Sequence, residues 1–433
     1  MVSRSVAAGR GAHPCGRRER ALVLLGIGVI AVHIVDDSFV QPQPGTSVAD
    51  HLAGGLVPLA VLALAAVAYP RLRAGWRAVT ALLLGVFGLG TASEAWYYTS
   101  EVGASGDDYT GLLAIPAGLI LLAVGVVTLW RSRRLDERMP RRYLRRALIG
   151  VGGLIVSIVV VYPLVSSYGQ THIGRAVVPE PNLGADFEDA SFTTDDGLEL
   201  TGWYVPSRNR AAVIAFPGRK GPQPQTRMLV RHGYGVLLFD RRGEGESEGD
   251  PNALGWNGDR DIKAAIAWLR RRPDVDPERI GGIGRSVGGE LLLETAAETD
   301  QLKAVVSEGA GIRSVREAME SPWDAKLLAV PIWGGITAAT AVFSDDAPPA
   351  NLNDLVERIA PRPVFFIYAA KGQGGEELSQ DFYESAGQPK AVWEVPEGGH
   401  VGGLEAMPRE YEQRVIGFFD GALLGKQAVR ETP

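Results

Sequence analysis

The stretch Arg279–Glu298, RIGGIGRSVGGELLLETAAE, decides the reading of this chain. Arg279–Ile283 is a short apolar run of strand length, and Glu290–Glu298 is rich in helix formers. Between them lies Gly284-Arg285-Ser286-Val287-Gly288, a G-x-S-x-G sequence. Its two glycines permit the sharp strand-to-helix turn that exposes a serine hydroxyl above a sheet. The helix N-terminus beside that serine favours developing negative charge. The five letters alone are a weak signal in a chain with 54 glycines. The strand before them and the helix after them make the signal specific.

Outward from this turn, apolar strands alternate with amphipathic helical stretches from about Pro179 to Phe419, the signature of a mainly parallel α/β sheet. Eight strands are expected: Ala190–Thr194, Leu198–Val205, Ala212–Phe216, Val236–Asp240, Arg279–Ile283, Ala304–Ser307, Val364–Tyr368 and Ala391–Val395. Asp195-Asp196-Gly197 supplies a hairpin turn between the first two. The clearest helix is Asp259–Arg272, where Ile262, Ala265, Ile266 and Leu269 repeat at helical spacing and Pro273 ends the run.

Four stretches now stand in a fixed order. Phe216-Pro217-Gly218 follows the third strand, and Asp240-Arg241-Arg242-Gly243-Glu244-Gly245-Glu246-Ser247 follows the fourth. The serine turn comes next, and Gly398-Gly399-His400 follows the last strand. In this combination, from about Phe187 to Phe419, the chain resembles the α/β-hydrolase superfamily, in particular its prolyl-oligopeptidase-like and dienelactone-hydrolase-like bacterial members. The resemblance implies that Ser286 is a nucleophile and His400 its general base, acting through an acyl-enzyme. It implies oxyanion donors at the backbone N–H groups of Val287 and Arg219. Pro217 stands where the family usually has a histidine, a change that leaves backbone donors intact. No cofactor is implied.

The family places an acid after the penultimate strand, yet the segment following Tyr368, Ala369-Ala370-Lys371-Gly372-Gln373-Gly374-Gly375-Glu376-Glu377, has no Asp at the turn. Glu376 or Glu377 is the substitute; Asp381 is a weaker choice because it starts a helix. Adjacent residues cannot both face the histidine, and Glu377 is marginally preferred. Either glutamate also reads as an ordinary solvated helix N-terminus. The insertion Gly311–Pro349 carries the apolar run Leu327–Phe343 with Trp323 and Trp333. It reads as a lid, as an element resting on a membrane surface, or as a buried core helix. Arg219 and Lys220 read as a solvated pair before they read as a hook for an anionic substrate.

The remainder of the chain differs in kind. At 433 residues it is long enough for two units. The net charge of −6 and the lack of a basic face argue against nucleic acid, and one cysteine excludes an internal disulfide. Five apolar stretches precede the hydrolase-like half: about Ala21–Val35, His51–Tyr69, Trp76–Ala95, Tyr109–Trp130 and Ala147–Tyr168. Most approach the ~20 residues that cross a ~30 Å hydrocarbon layer. The first is preceded by arginines like a signal peptide, but it ends in Asp36-Asp37 without a small-residue cleavage site, which favours an uncleaved span. Arg4, Arg10, Arg17, Arg18 and Arg20 precede the first stretch, Arg71, Arg73 and Arg77 lie between the second and third, and Arg131, Arg133, Arg134, Arg138, Arg141, Arg142, Arg145 and Arg146 between the fourth and fifth. The segments around Asp36–Asp50 and Glu94–Asp108 have no Lys or Arg. Positive charge stays on the cytoplasmic side, so five spans place the hydrolase-like half outside the cytoplasmic membrane.

His33, Asp36, Asp37, His51 and Glu94 gather near the outer ends of these stretches. They read as helix caps and loop solvation, or as ligands of a divalent cation. The expected architecture is thus an all-α membrane domain over residues 1–170 with about five transmembrane helices. An α/β-hydrolase domain over 179–425, with a mainly parallel eight-stranded sheet and a lid-like insertion at about 311–349, follows it. The expected function is a membrane-anchored serine hydrolase whose substrate is a small-molecule or lipid ester, less readily an amide or peptide. The competing reading is a transport or sensing module whose outer domain binds a ligand without turnover.

Overall fold

The computed structural model describes residues 15–101, 103–131, 139–221, 223–321, 323–372 and 375–426. Arg4, Arg10, Arg133, Arg134 and Arg138 of the positive-charge pattern, and Gln373 and Gly374 of the acid segment, lie outside them. The chain divides into two compact units. The first holds the described residues up to Gly174 together with Val342–Asp345 and without Gln43–Thr46; the second holds the rest.

Long apolar runs without strand punctuation give the first unit its helices. They are α1 (Arg17–Val35), α2 (Leu52–Ala68), α3 (Ala74–Thr91), α4 (Ser93–Glu101), α5 (Asp108–Arg131), α6 (Met139–Val156) and α7 (Tyr162–Thr171). Together with short flanking turns they make five segments long and apolar enough to cross a membrane: Arg17–Val40, Val48–Arg71, Ala74–Glu101, Asp108–Arg131 and Met139–Thr171. Small residues let α3 and α5 approach backbone to backbone. A Cβ on Gly118 would lie 2.8 Å from the carbonyl of Gly85, the kind of packing that holds apolar helices together where burial from water supplies no force.

The second unit is an eight-stranded sheet in the order β1-β2-β4-β3-β5-β6-β7-β8. The strands are β1 (Glu188–Thr193), β2 (Glu199–Val205), β3 (Ala212–Ala215), β4 (Gly235–Phe239), β5 (Ile280–Arg285), β6 (Ala304–Glu308), β7 (Val364–Ala369) and β8 (Lys390–Val395). The β1–β2 and β2–β4 pairs are antiparallel and all others parallel. Gly197, at φ 93°, makes the β1–β2 turn, a conformation cheap only for glycine.

Period-two alternation sorts each central strand between two cores. Ile214, Leu237 and Phe239 face one core, and Val213, Val236 and Leu238 face the other. The first is covered by α9 (Gly258–Leu269), α10 (Val287–Glu298), α13 (Leu352–Val356) and α14 (Leu378–Ser385). The second is covered by α8 (Gln223–Arg231) and α16 (Pro408–Leu424). In α9 the face Ile262, Ala265, Ile266 and Leu269 is at most 1% exposed, and burying each of its isoleucine and leucine side chains is worth about 1.5–3 kcal/mol.

The insertion forms α11 (Val315–Ala318) and the long α12 (Trp323–Phe343); α15 (Gly403–Ala406) lies just after His400. One side of α12 packs Ile332, Trp333 and Ile336 against Leu254 and Trp256, while Leu327 and Leu328 stay exposed. The helix is therefore half of each expectation: part packed, part open. Its Ala325–Phe343 stretch is a sixth segment apolar enough to cross a membrane.

Candidate active site

The parallel strands end at one edge, and their C-terminal turns converge there. Ser286 sits between β5 and α10 with φ 53° and ψ −128°, a costly backbone for a residue with a side chain. The glycines on either side make the turn possible. A Cβ on Gly284 would lie 2.3 Å from the carbonyl of Gly288, and one on Gly288 would lie 2.5 Å from Phe216 Cβ.

His400, on the turn after β8, brings Nε2 to 3.1 Å from Ser286 Oγ. Its Nδ1 is hydrogen-bonded to Glu376 Oε1. Glu376 is 1% exposed, and its other oxygen accepts the Ala369 N–H at 2.9 Å, at the end of β7. The hydrogen bond to Glu376, and that carboxylate's charge, push the His400 imidazole above its ordinary value of 6.5, against a smaller opposing effect of burial. The preference for Glu377 is corrected: it is exposed at the N-cap of α14. Glu376 enters the interior because Gly372 and Gly375 turn the segment back over β7; a Cβ on Gly372 would meet the Glu376 carboxylate at 2.6 Å. Asp381, inside α14, is not in this arrangement.

Val287 opens α10 beside the serine, and Arg219 lies in the short turn Gly218–Lys220 after β3. That turn hugs the sheet, since a Cβ on Gly218 would lie 2.0 Å from the carbonyl of Phe239. The Arg219 side chain is 3% exposed; its Nε donates to Asp240 Oδ2 at 2.9 Å and its Nη1 to Glu246 at 2.8 Å. Lys220 donates to Glu244 at 2.6 Å, and Arg241 donates to the same carboxylate oxygen. The solvated reading is thus corrected for Arg219, while Lys220 stays exposed. Both are tied to the Asp240–Ser247 segment, which is itself fixed by a 2.6 Å bond from Ser247 Oγ to the Asp240 carbonyl.

Three further groups near the serine were not singled out from the sequence. Glu290, in the first turn of α10, is buried and accepts the Gly311 N–H at 3.1 Å; burial raises its carboxyl to about 7 despite Arg313 nearby. Arg285 and Glu308 end β5 and β6. Arg285 hides in a variable position of the G-x-S-x-G pattern. The one legible signal for Glu308 was an acid directly following a buried strand.

The five ionisable groups of the helical unit do not gather as ligands. Among the described residues no group of three or more His, Cys, Asp or Glu side chains is arranged to hold a metal ion. His33 instead bonds the Thr91 carbonyl at 3.0 Å and Thr110 Oγ1 at 3.3 Å, and Thr110 donates to Asp36 at 2.8 Å.

Residues 170–357 match the X-Pro dipeptidyl-peptidase family (S15 family). An uncharacterized protein of Salmonella typhi is 28% identical over 259 residues, covering 56% of this chain and 84% of that protein. An uncharacterized protein of Mycobacterium tuberculosis is 30% identical over 196 residues, covering 41% of this chain and 69% of that one. Among solved structures, an esterase of Pyrococcus furiosus, Pf2001, aligns with a TM-score of 0.46 at 24% identity over 58% of this chain and 100% of its own. With the family match, the Mycobacterium relative and the mostly parallel sheet carrying its serine turn between β5 and α10, the chain belongs to the α/β-hydrolase superfamily.

Proposed function

We propose that this protein is a membrane-anchored serine hydrolase that cleaves an ester through an acyl-enzyme on Ser286, with His400 as general base and acid and Glu376 orienting it. The observation that carries the reading is the unbroken line from the Glu376 carboxylate through both ring nitrogens of His400 to Ser286 Oγ. In the mechanism this line supports, Ser286 Oγ attacks the substrate carbonyl carbon while its proton passes to His400 Nε2. The carbonyl π pair moves onto oxygen, where the N–H groups of Val287 and Arg219 receive the charge. The C–O bond to the leaving group then breaks as His400 returns the proton to the departing alkoxide. Water, deprotonated by the same nitrogen, releases the acid and restores the serine.

The buried Glu376 holds the Nδ1–H tautomer and offsets the charge on the imidazole. Gly255 packs against the serine turn: a Cβ there would meet the Val287 side chain at 2.5 Å. The five apolar N-terminal segments favour membrane anchoring, and the arginine pattern favours a hydrolase unit outside the cytoplasmic membrane. The S15 match favours one second reading, cleavage of a peptide after an X-Pro unit.

The test is labelling of the full-length protein with a fluorophosphonate probe, followed by turnover of p-nitrophenyl esters of graded chain length and of an X-Pro p-nitroanilide. Labelling that Ser286→Ala abolishes is expected, with ester turnover lost in the same variant. Labelling that survives Ser286→Ala would overturn the hydrolase reading. Preference for the anilide would select the peptidase.

A further inference from the structure

We propose that Arg285 and Glu308 form a clamp that holds the His400 loop in place over Ser286, and that both are positioning residues for the reaction. This rests on the serine hydrolase reading above and adds to it the device that keeps base and nucleophile together.

Arg285 and Glu308 are cross-strand partners at the ends of β5 and β6. Each also reaches the loop that carries His400. Arg285 Nη2 donates to the Val401 carbonyl at 2.7 Å. Glu308 Oε1 accepts the Gly403 N–H at 2.9 Å. The main chain of Glu308 completes the link, since its carbonyl accepts the Ser286 N–H at 2.8 Å. One residue thereby bonds the nucleophile through its backbone and the histidine loop through its side chain.

The loop needs holding because of Val401. Its φ is 49°, in the left-handed region, where a β-branched side chain is a genuine outlier. Such a conformation persists only when its surroundings over-determine it. The two clamp bonds fall on the carbonyl of Val401 and on the N–H two residues later, so they bracket the strained residue. Gly309, directly after Glu308, supplies the floor: a Cβ there would lie 2.7 Å from Val401 Cγ1. The clamp itself is well founded. Glu308 is 2% exposed, its second oxygen accepts Tyr411 Oη–H at 2.8 Å, and the Arg285 Nε lies 4.0 Å from that oxygen, which compensates the buried charge.

The experiment uses the purified full chain and reads probe-labelling rate, kcat and KM on one ester, the pH profile, and Tm. Arg285→Met and Glu308→Met remove the two clamp bonds. Each is expected to lower kcat and labelling rate at least tenfold with KM within about threefold. In Glu308→Met the acid limb should fall back toward pH 6.5 as His400 leaves Glu376, whereas in Arg285→Met loss of the arginine's charge, which lowers the His400 value, opposes that fall. Glu308→Gln keeps an amide oxygen for the Gly403 N–H and should retain most of the rate. Val401→Gly in the Glu308→Met background should recover part of it, because glycine takes the left-handed turn without strain. Tyr411→Phe deletes a bond to the same carboxylate but keeps the ring that lies against Gly403; it should lower Tm and leave kcat within about twofold. The clamp is overturned if folded Arg285→Met and Glu308→Met keep the parent kcat, or if Tyr411→Phe loses as much rate as Glu308→Met. Should Glu308→Met fail to fold, Arg285→Met and its conservative partner Arg285→Lys decide the matter, since that side chain is 25% exposed. Failure of the underlying hydrolase reading looks different: Ser286→Ala would then label like the parent.

Discussion

Glu376 meets His400 from inside the protein, while the adjacent Glu377 is exposed at the N-cap of α14. A buried carboxylate can fix the imidazole tautomer and balance the charge that develops on it; an exposed one is screened. Glu376→Gln should therefore lower kcat on the order of 10³- to 10⁴-fold, with KM little changed. Glu377→Gln should stay within about twofold. Steady-state kinetics of the two variants on the same ester checks this, and equal mild losses would remove Glu376 from the mechanism.

The same contact sets the pH dependence. His400 must be neutral to accept the serine proton, and Glu376 holds its pKa above 6.5. Labelling by a fluorophosphonate should rise with pH through an inflection above 6.5. In Glu376→Gln the inflection should move to lower pH as the plateau falls. Stability runs the other way. A raised folded-state pKa contributes stability that is fully present below the unfolded value and is lost as pH rises through the folded one. The Tm difference between parent and Glu376→Gln should accordingly shrink from pH 6 to pH 8, and a growing difference would contradict the assignment.

Arg219 offers a separate handle on the proposed oxyanion site. Its guanidinium and Asp240 are both nearly sealed from solvent, so Arg219→Met leaves an uncompensated buried carboxylate and should cost about 3–5 kcal/mol of stability. The double variant Arg219→Met/Asp240→Asn should recover much of that loss. It should not recover the rate, because the turn that presents the Arg219 N–H has lost its anchor; a deficit of about tenfold to a hundredfold in kcat is expected, below the full loss of one oxyanion donor. Chemical denaturation and kinetics on the pair separate the two effects.

These residues also show where sequence reading stops. All eight strands lie within two residues of their expected ends, because period-two burial and glycine turns leave their mark on local composition. The turns that carry Ser286 and His400 were readable for the same reason: each follows a strand within a patterned turn. The choice between Glu376 and Glu377 was not, since it depends on how Gly372 and Gly375 fold a polar segment over β7. Arg285 and Glu308 were hidden more deeply. Their meeting with Val401 and Gly403 spans 95 or more residues of chain, and no local pattern encodes such a contact. The N-terminal half was legible as five apolar segments, whereas among the described residues His33, Asp36, Asp37, His51 and Glu94 form no group arranged to hold a metal ion.

Orientation in the membrane makes the final prediction. Arginines concentrate before the first apolar segment, between the second and third, and between the fourth and fifth, and the intervening loops have none. If the five segments cross and positive charge stays on the cytoplasmic side, the proposed topology has an odd number of crossings before Thr171. The sixth apolar stretch, Ala325–Phe343, lies after that point; were it to cross, β7 and β8 would be parted from β6, with which β7 pairs, and α12 would give up its packing on Leu254 and Trp256. Alkaline phosphatase fused after Thr171 should therefore be active in bacteria, and green fluorescent protein at the same point, exported in an unfolded state, should be dark. Fusions after Ala74 should give the reverse pattern. A bright fluorescent fusion and silent phosphatase after Thr171 would place the hydrolase unit in the cytoplasm and confine its substrates to that side.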